Sequence, residues 1–303
     1  MGLFGWFRRK RTSAVAESPS PLATVDVGGR KHALGVPYML PKDEGEINRL
    51  DFQHYMLRFS LRGNYSAPIA EPKAILDVGT GTGRWAREMA ELFLDARVIG
   101  LDIAVPKADE SAESLQTAEP LPPNYSFVPG NVLEGLPFAD GEFDFTHQRL
   151  LVTAIPLAQW PQVIGELARV TRPGGWVELM ETGLSRGQGE NMNLLLQSSV
   201  EFARRRGIDL QIGLRLGDLL REAGLANVVV REVPFLLGPR GGHVGQMAAT
   251  DMLTGIKGLK GPAVAMGILD AETYDRAMDA WRDEMQVYEQ IWPFYIAYGQ
   301  RAR

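Results

Sequence analysis

The residues with the clearest chemical potential lie in one short run, Ile75-Leu76-Asp77-Val78-Gly79-Thr80-Gly81-Thr82-Gly83. An apolar strand running into alternating glycines lets the chain turn sharply. A ligand can then approach the unpaired N–H groups that open the next helix. The spacing is Gly-x-Gly-x-Gly with Arg84 next, out of register with the Gly-x-Gly-x-x-Gly dinucleotide fingerprint, and no Gly-Lys-Ser/Thr follows to hold a triphosphate. Asp77 stands two residues before the first glycine. A carboxylate there faces a pyrophosphate unfavourably, but it suits S-adenosylmethionine, which carries a sulfonium and an ammonium and no phosphate. A second apolar run ends in Gly100-Leu101-Asp102. An acid placed about 20 residues past the glycines accepts the hydroxyls of a ribose. Dinucleotide enzymes use the same device. Asp102 therefore points to an adenosine ribose and leaves an NAD-dependent oxidoreductase as a competing reading, against which Asp77 and the loop register count.

Further along the chain come Gly130-Asn131-Val132 with Leu136-Pro137-Phe138-Ala139-Asp140-Gly141-Glu142-Phe143-Asp144, then Arg172-Pro173-Gly174-Gly175-Trp176-Val177-Glu178. With the glycine loop and Gly100-Leu101-Asp102-Ile103, these segments resemble the successive motifs of class I S-adenosylmethionine-dependent methyltransferases. A closer resemblance, to methyltransferases like the fungal regulators of secondary metabolism, rests on Arg49-Leu50-Asp51-Phe52-Gln53-His54, Trp85-Ala86, Pro122-Pro123-Asn124-Tyr125 and His147-Gln148-Arg149. The resemblance implies S-adenosylmethionine as cofactor. It places Gly79, Gly81 and Gly83 along the methionine part, Asp77 at the amino group and Asp102 at the ribose. Asn131 stands where many members have Asp at the adenine amino group, with Val132 beside the ring, and Arg49 is placed to reach the cofactor carboxylate. A non-catalytic cofactor-binding regulator is the alternative within the same resemblance.

Methyl transfer needs chiefly alignment of acceptor, methyl carbon and sulfur, and a base helps where the acceptor is a hydroxyl or amine. His147 follows the fourth core strand, whose carboxyl end faces the ligand cleft of an open α/β sheet, and an imidazole suits proton transfer near neutral pH. Glu181, at the end of the fifth, is placed toward the same edge. These two are the expected catalytic residues, although each also reads as pocket lining. His54 lies in the leading helix, while His32 and His243 have no chemical partner nearby in sequence. Four scattered histidines without Cys or His-Glu-x-x-His argue against a metal site.

The elements that must position these groups alternate between strands and helices, as in stacked βαβ units on a parallel sheet. Strands are expected over Ala74–Val78, Arg97–Asp102, Tyr125–Val128, from Phe143, over Trp176–Glu181 and over Val228–Val233. Helices are expected over about Arg84–Phe93, Trp160–Val170 and Leu216–Ala223, with Pro173-Gly174-Gly175 as the stop between helix and strand. The expected fold is a Rossmann-like, doubly wound, mostly parallel seven-stranded α/β sheet with helical lid additions. Residues 1–30 read as a tail and linker, 31–72 as a helical lid with a helix over Glu44–Leu61, and 73–237 as the core. Residues 238–303 read as a second lid segment, with a helix over Ala271–Ile291, and a final strand at Phe294–Ala297. Tyr55, Met56, Phe59, Met247, Met252, Met266 and Met285 in the two additions suggest a cover over an apolar or aromatic small-molecule acceptor.

Composition is that of an ordinary globular chain, 45% hydrophobic and 23% charged, and the net charge of -5 argues against nucleic acid as a partner. The absence of cysteine removes disulfides and thiolate chemistry and fits the expected cytoplasmic location. At the start, Phe4, Trp6 and Phe7 precede Arg8, Arg9, Lys10 and Arg11, an order wrong for an export signal. The simplest reading is an unstructured tail, and a weak contact with an anionic membrane surface is the alternative.

Overall fold

The computed structural model describes residues 23–104 and 120–303, so the expectations for the aromatic and basic tail lie outside the described residues. The first described elements correct the linker reading. Strands β1 (Thr24–Val27) and β2 (Arg30–Ala33) pair antiparallel, with Val27 opposite Arg30. Gly28 and Gly29, read as linker glycines, both take positive φ (62° and 77°). That is the requirement of a two-residue type I′ hairpin turn. Helix α1 (Glu44–Leu61) follows, capped by the Asp43 carboxylate, which accepts from the Glu46 amide.

The glycine loop joins β3 (Ala74–Val78) to α2 (Arg84–Leu92). Next come β4 (Arg97–Asp102), β5 (Tyr125–Pro129), β6 (Phe143–Arg149), α3 (Trp160–Val170) and β7 (Thr171–Thr182). After them run α4 (Glu190–Arg205), α5 (Leu216–Glu222), β8 (Leu225–Leu236), α6 (Gly242–Ala265), α7 (Ala271–Val287) and β9 (Ile291–Arg301). The seven-stranded sheet has the order β5-β4-β3-β6-β7-β9-β8, and β9 alone runs antiparallel to its neighbours. The chain winds outward from β3 to β5 in one direction and from β6 to β7 in the other. The switch point therefore lies between β3 and β6, where open α/β sheets bind ligands.

Strand alternation sorts the core. Leu76 and Val78 of β3 face one layer with Trp160, Val163, Ile164 and Leu167 of α3, an i, i+3, i+4, i+7 stripe. Ile75 points the other way, to Trp85, Ala86 and Met89 of α2. The Pro-Gly-Gly stop proves to be a bulge inside β7. Thr171 already pairs with Phe143, residues 172–175 loop out, and Trp176 pairs with Phe145.

Two helices escaped the periodicity reading. In α4 the buried stripe of Met192, Leu195 and Phe202 is diluted by Ser198 and Ser199. In α6 the glycines serve packing: a Cβ at Gly258 would lie 3.0 Å from Pro41, and one at Gly261 would lie 2.8 Å from the Val27 carbonyl oxygen. Bare glycines let the hairpin and the segment before α1 lie directly across α6. Helices α1, α4, α6 and α7 share a core with β8 and β9, built on Met56, Met192, Met252, Tyr274, Trp281 and Phe294.

Candidate active site

A cavity of about 410 Å³ opens at the carboxyl ends of β3, β4, β5 and β6, beneath the segment 36–54. Its floor is the glycine loop. Gly79, Gly81 and Gly83 all adopt left-handed φ (71°, 57° and 75°), which only glycine takes without strain. The Gly79 and Thr80 amides donate to the Leu101 carbonyl at 2.8 and 3.0 Å, hooking the turn to the end of β4. A Cβ on Gly81 would meet only Leu50, at 3.9 Å, so the space above this backbone is open to a ligand.

Asp102 sits at the mouth of β4. Its oxygens accept from the Gly81 amide at 3.0 Å and the Ala104 amide at 3.1 Å, and Lys42 Nζ stands 3.9 Å away. Burial raises its pKa, and Lys42 with the two amides pulls the other way. Asn131 lines the same end of the cavity, with its Oδ1 accepting from the Leu133 amide to cap the short turn that carries Val132.

Asp77 reaches the cavity wall with both oxygens engaged: Oδ1 lies 2.8 Å from His147 Nδ1, and Oδ2 accepts from the Thr80 hydroxyl at 2.7 Å. The pairing follows from register, since Asp77 and His147 are directly opposite on the parallel strands β3 and β6. The His147 ring stacks on the indole of Trp85, with centroids 3.8 Å apart and planes 4° from parallel. Burial lowers the imidazole pKa against the raising effect of Asp77. A carboxylate can only accept, so Nδ1 carries the proton and Nε2 is the basic nitrogen.

Two expected site residues are displaced by the structure. Arg49 does not line the cavity. It is buried with its guanidinium divided between Glu46 (2.9 and 2.7 Å) and Asp251 (2.6 Å). Burial works against the charge, but these carboxylates outweigh it and hold the pKa above its ordinary value. Arg49 thus clamps α1 to α6 rather than facing a ligand. Glu181 is likewise fully buried behind the cavity wall, where it accepts from the Leu151 and Val152 amides at 2.9 Å each. Burial raises its pKa to about 8. Its work is to fix the loop after β6, in which Leu150 holds a left-handed φ of 59° and Leu151 packs against Gly79.

The cover is also narrower than expected. Residues of the segment 36–54 line the cavity, whereas none from 238–290 does, because that segment packs into the core with β8 and β9. Sequence reasoning missed Tyr38, Lys42 and Arg149, all of which line the cavity. Arg149 follows His147 at the i+2 position, on the same face of β6, and that alternation was the one available signal.

A mostly parallel sheet with a glycine loop and a carboxylate at the switch point is the arrangement of Rossmann-like nucleotide- and nucleoside-binding proteins. The family model described as "Methyltransferase domain" matches residues 75–175. Methyltransferase str2 of Strobilurus tenacellus is 37% identical over 214 residues, covering 67% of this chain and 72% of that one. The secondary metabolism regulator LAE1 of Cochliobolus heterostrophus is 34% identical over 151 residues, covering 48% of this chain and 45% of that one. Among solved structures, a Haemonchus contortus phosphoethanolamine N-methyltransferase 2 with bound S-adenosylhomocysteine superposes with a TM-score of 0.51 at 16% identity, covering 84% of this chain and 58% of that one. That last likeness concerns the fold. The chain belongs to the class I S-adenosylmethionine-dependent methyltransferase family.

Proposed function

We propose that this methyltransferase acts on a small, largely apolar or aromatic molecule held beyond the glycine loop. The observation that carries the reading is the wall of the cavity past Gly79, formed by Leu150, Leu151, Ala154 and Ile155 beneath the N-terminal cover. A pocket of about 410 Å³ lies within the size range of small-molecule sites. The residues present fit the cofactor: the backbone above Gly81 is open, and Asp102 offers a carboxylate at the mouth. Gly79 and Gly81 would hold its methionine part, Asp102 its ribose, and Asn131 and Val132 its adenine, whereas Gly83 faces Tyr125 and Arg87 rather than the cavity. When bound, S-adenosylmethionine supplies a methyl group on a sulfonium, so a neutral thioether leaves.

The chain's own contribution is to align and to exclude water. Trp85 and Asp77 fix the His147 ring, and its Nε2 serves as the base where the acceptor gives up a proton. Glu181 and Leu151 set the loop that closes the pocket over Gly79. Incubating the chain with methyl-labelled S-adenosylmethionine and a metabolite extract, then separating small molecules from macromolecules, tests the reading. Label is expected in the small-molecule fraction. Efficient transfer to protein would overturn the proposal.

A further inference from the structure

We propose that the methyl acceptor carries a carboxylate, and that Arg149 holds it. The inference rests on the reading of this cavity as a methyltransferase cleft and names the chemistry of its acceptor end.

Of the cationic side chains around the cavity, Lys42 faces Asp102, Arg84 faces Asp51 at 3.8 Å, and Arg87 donates to the Thr82 carbonyl and lies over the Tyr125 ring. Arg149 makes no ion pair among the described residues. Its one hydrogen bond among the described residues runs from Nη2 to His54 Nδ1, at 3.1 Å. The anions nearest to it are already committed: Asp77 to His147 and Thr80, and Glu88 to Asn64 and Arg58, with His54 Nε2 3.2 Å away. Glu178 accepts from the Ser66 and Ala67 amides. A guanidinium taken partly out of water costs stability unless an anion or several acceptors meet it, and this one spends a single one of its five donors. Arg149 lines the cavity, and the donors not spent on His54 suit a planar, bidentate partner there.

Sheet order decides whose carboxylate that is. Asp102 and Asn131, at the ends of β4 and β5, mark the adenosine end, and the glycine loop after β3 marks the methionine part. Strand β6 lies on the far side of β3 from β4, so Arg149 stands beyond the methionine, next to His147 and the apolar wall of Leu150 and Leu151. One unpaired cation beside an apolar wall matches a singly charged aromatic or aliphatic acid better than a doubly charged phosphate ester.

The test uses the full chain and the variants Arg149→Gln and Arg149→Lys, each checked for folding by near-ultraviolet circular dichroism. Calorimetry first measures S-adenosylhomocysteine binding. The product-saturated protein is then titrated with matched pairs: benzoate and benzamide, 4-hydroxybenzoate and 4-hydroxybenzamide, indole-3-acetate and indole-3-acetamide. In at least one pair the acid is expected to bind wild type about tenfold or more tightly than its amide, with the preference erased in Arg149→Gln and partly kept in Arg149→Lys. The affinity for S-adenosylhomocysteine should move by less than about threefold in either variant. Three results overturn the proposal: no acid is preferred, the preference survives in Arg149→Gln, or product affinity falls about tenfold, which would assign Arg149 to the cofactor's own carboxylate. Failure of the wild-type chain to bind S-adenosylhomocysteine at all would instead remove the cleft reading, and the inference with it.

Discussion

The His147 imidazole is constrained by a charge at one nitrogen, 2.8 Å away, and by an indole against its face. The two contacts fix the ring as a candidate base, and burial lowers its pKa below 6.5 against the raising effect of Asp77. In a methyl-transfer assay with labelled cofactor, His147→Ala should lower turnover by about 10²–10⁴-fold while leaving S-adenosylhomocysteine affinity nearly unchanged. A parallel loss of product binding would make His147 part of the cofactor site instead. The wild-type rate should also persist as the pH falls through 6.5, because the depressed pKa keeps the basic nitrogen unprotonated below the ordinary imidazole value. A rate that halves at or above that pH would contradict the assignment. That Asp77, Gly79, Gly81 and Asp102 meet at one cavity was readable beforehand because strand, loop and helix start are contiguous in the chain. The duty of Arg149 was not readable, since it depends on every nearby acid already having a partner.

At the level of elements, two buried carboxylates hold the cavity walls in place. Glu181 keeps the loop after β6 against the glycine loop through two backbone amides. Its folded-state pKa of about 8 lies above the ordinary 4.5, so the folded state binds the extra proton. That contribution is fully present below about pH 4.5 and is lost as the pH rises toward 8. Urea midpoints compared at pH 6 and pH 9 should fall more for wild type than for Glu181→Gln, which cannot titrate. Equal declines would show that Glu181 is not the source.

Asp251 holds α6 to α1 through Arg49 and also accepts from Gln53 at 2.7 Å. Asp251→Ala leaves a buried guanidinium half-paired and should cost about 3–5 kcal/mol in urea unfolding. A loss below about 1 kcal/mol would mean that water replaces the carboxylate. The sequence separation of 202 residues explains why Arg49 read as a ligand contact. Its type and its place before the core were legible, but its partner was not. A related limit applies to α4 and α6, where Ser198 and Ser199 in one and Gly245 and Gly258 in the other dilute the apolar stripe of the buried face. Strands with continuous apolar runs, such as β3 and β4, were legible to the residue.

For the molecule as a whole, the core of α1, α4, α6 and α7 is not a detachable cover. Its side chains interlock with β8 and β9, and the cavity is covered instead by the segment before α1 and by α1 itself. That wall meets the cofactor end through Lys42, opposite Asp102. No helix among the described residues is long and apolar enough to cross a membrane. Every role assigned above depends on S-adenosylmethionine occupying the cleft between the glycine loop and Asp102. Calorimetric titration of S-adenosylhomocysteine and of NAD into the wild-type chain, Gly81→Val and Asp102→Ala tests it most directly. Saturable binding of S-adenosylhomocysteine is expected, and none of NAD. Binding should be abolished in Gly81→Val and weakened by about 2–4 kcal/mol in Asp102→Ala, the worth of one or two charge-assisted hydrogen bonds. Product binding of unchanged affinity in both folded variants, or binding of NAD in place of S-adenosylhomocysteine, would contradict it.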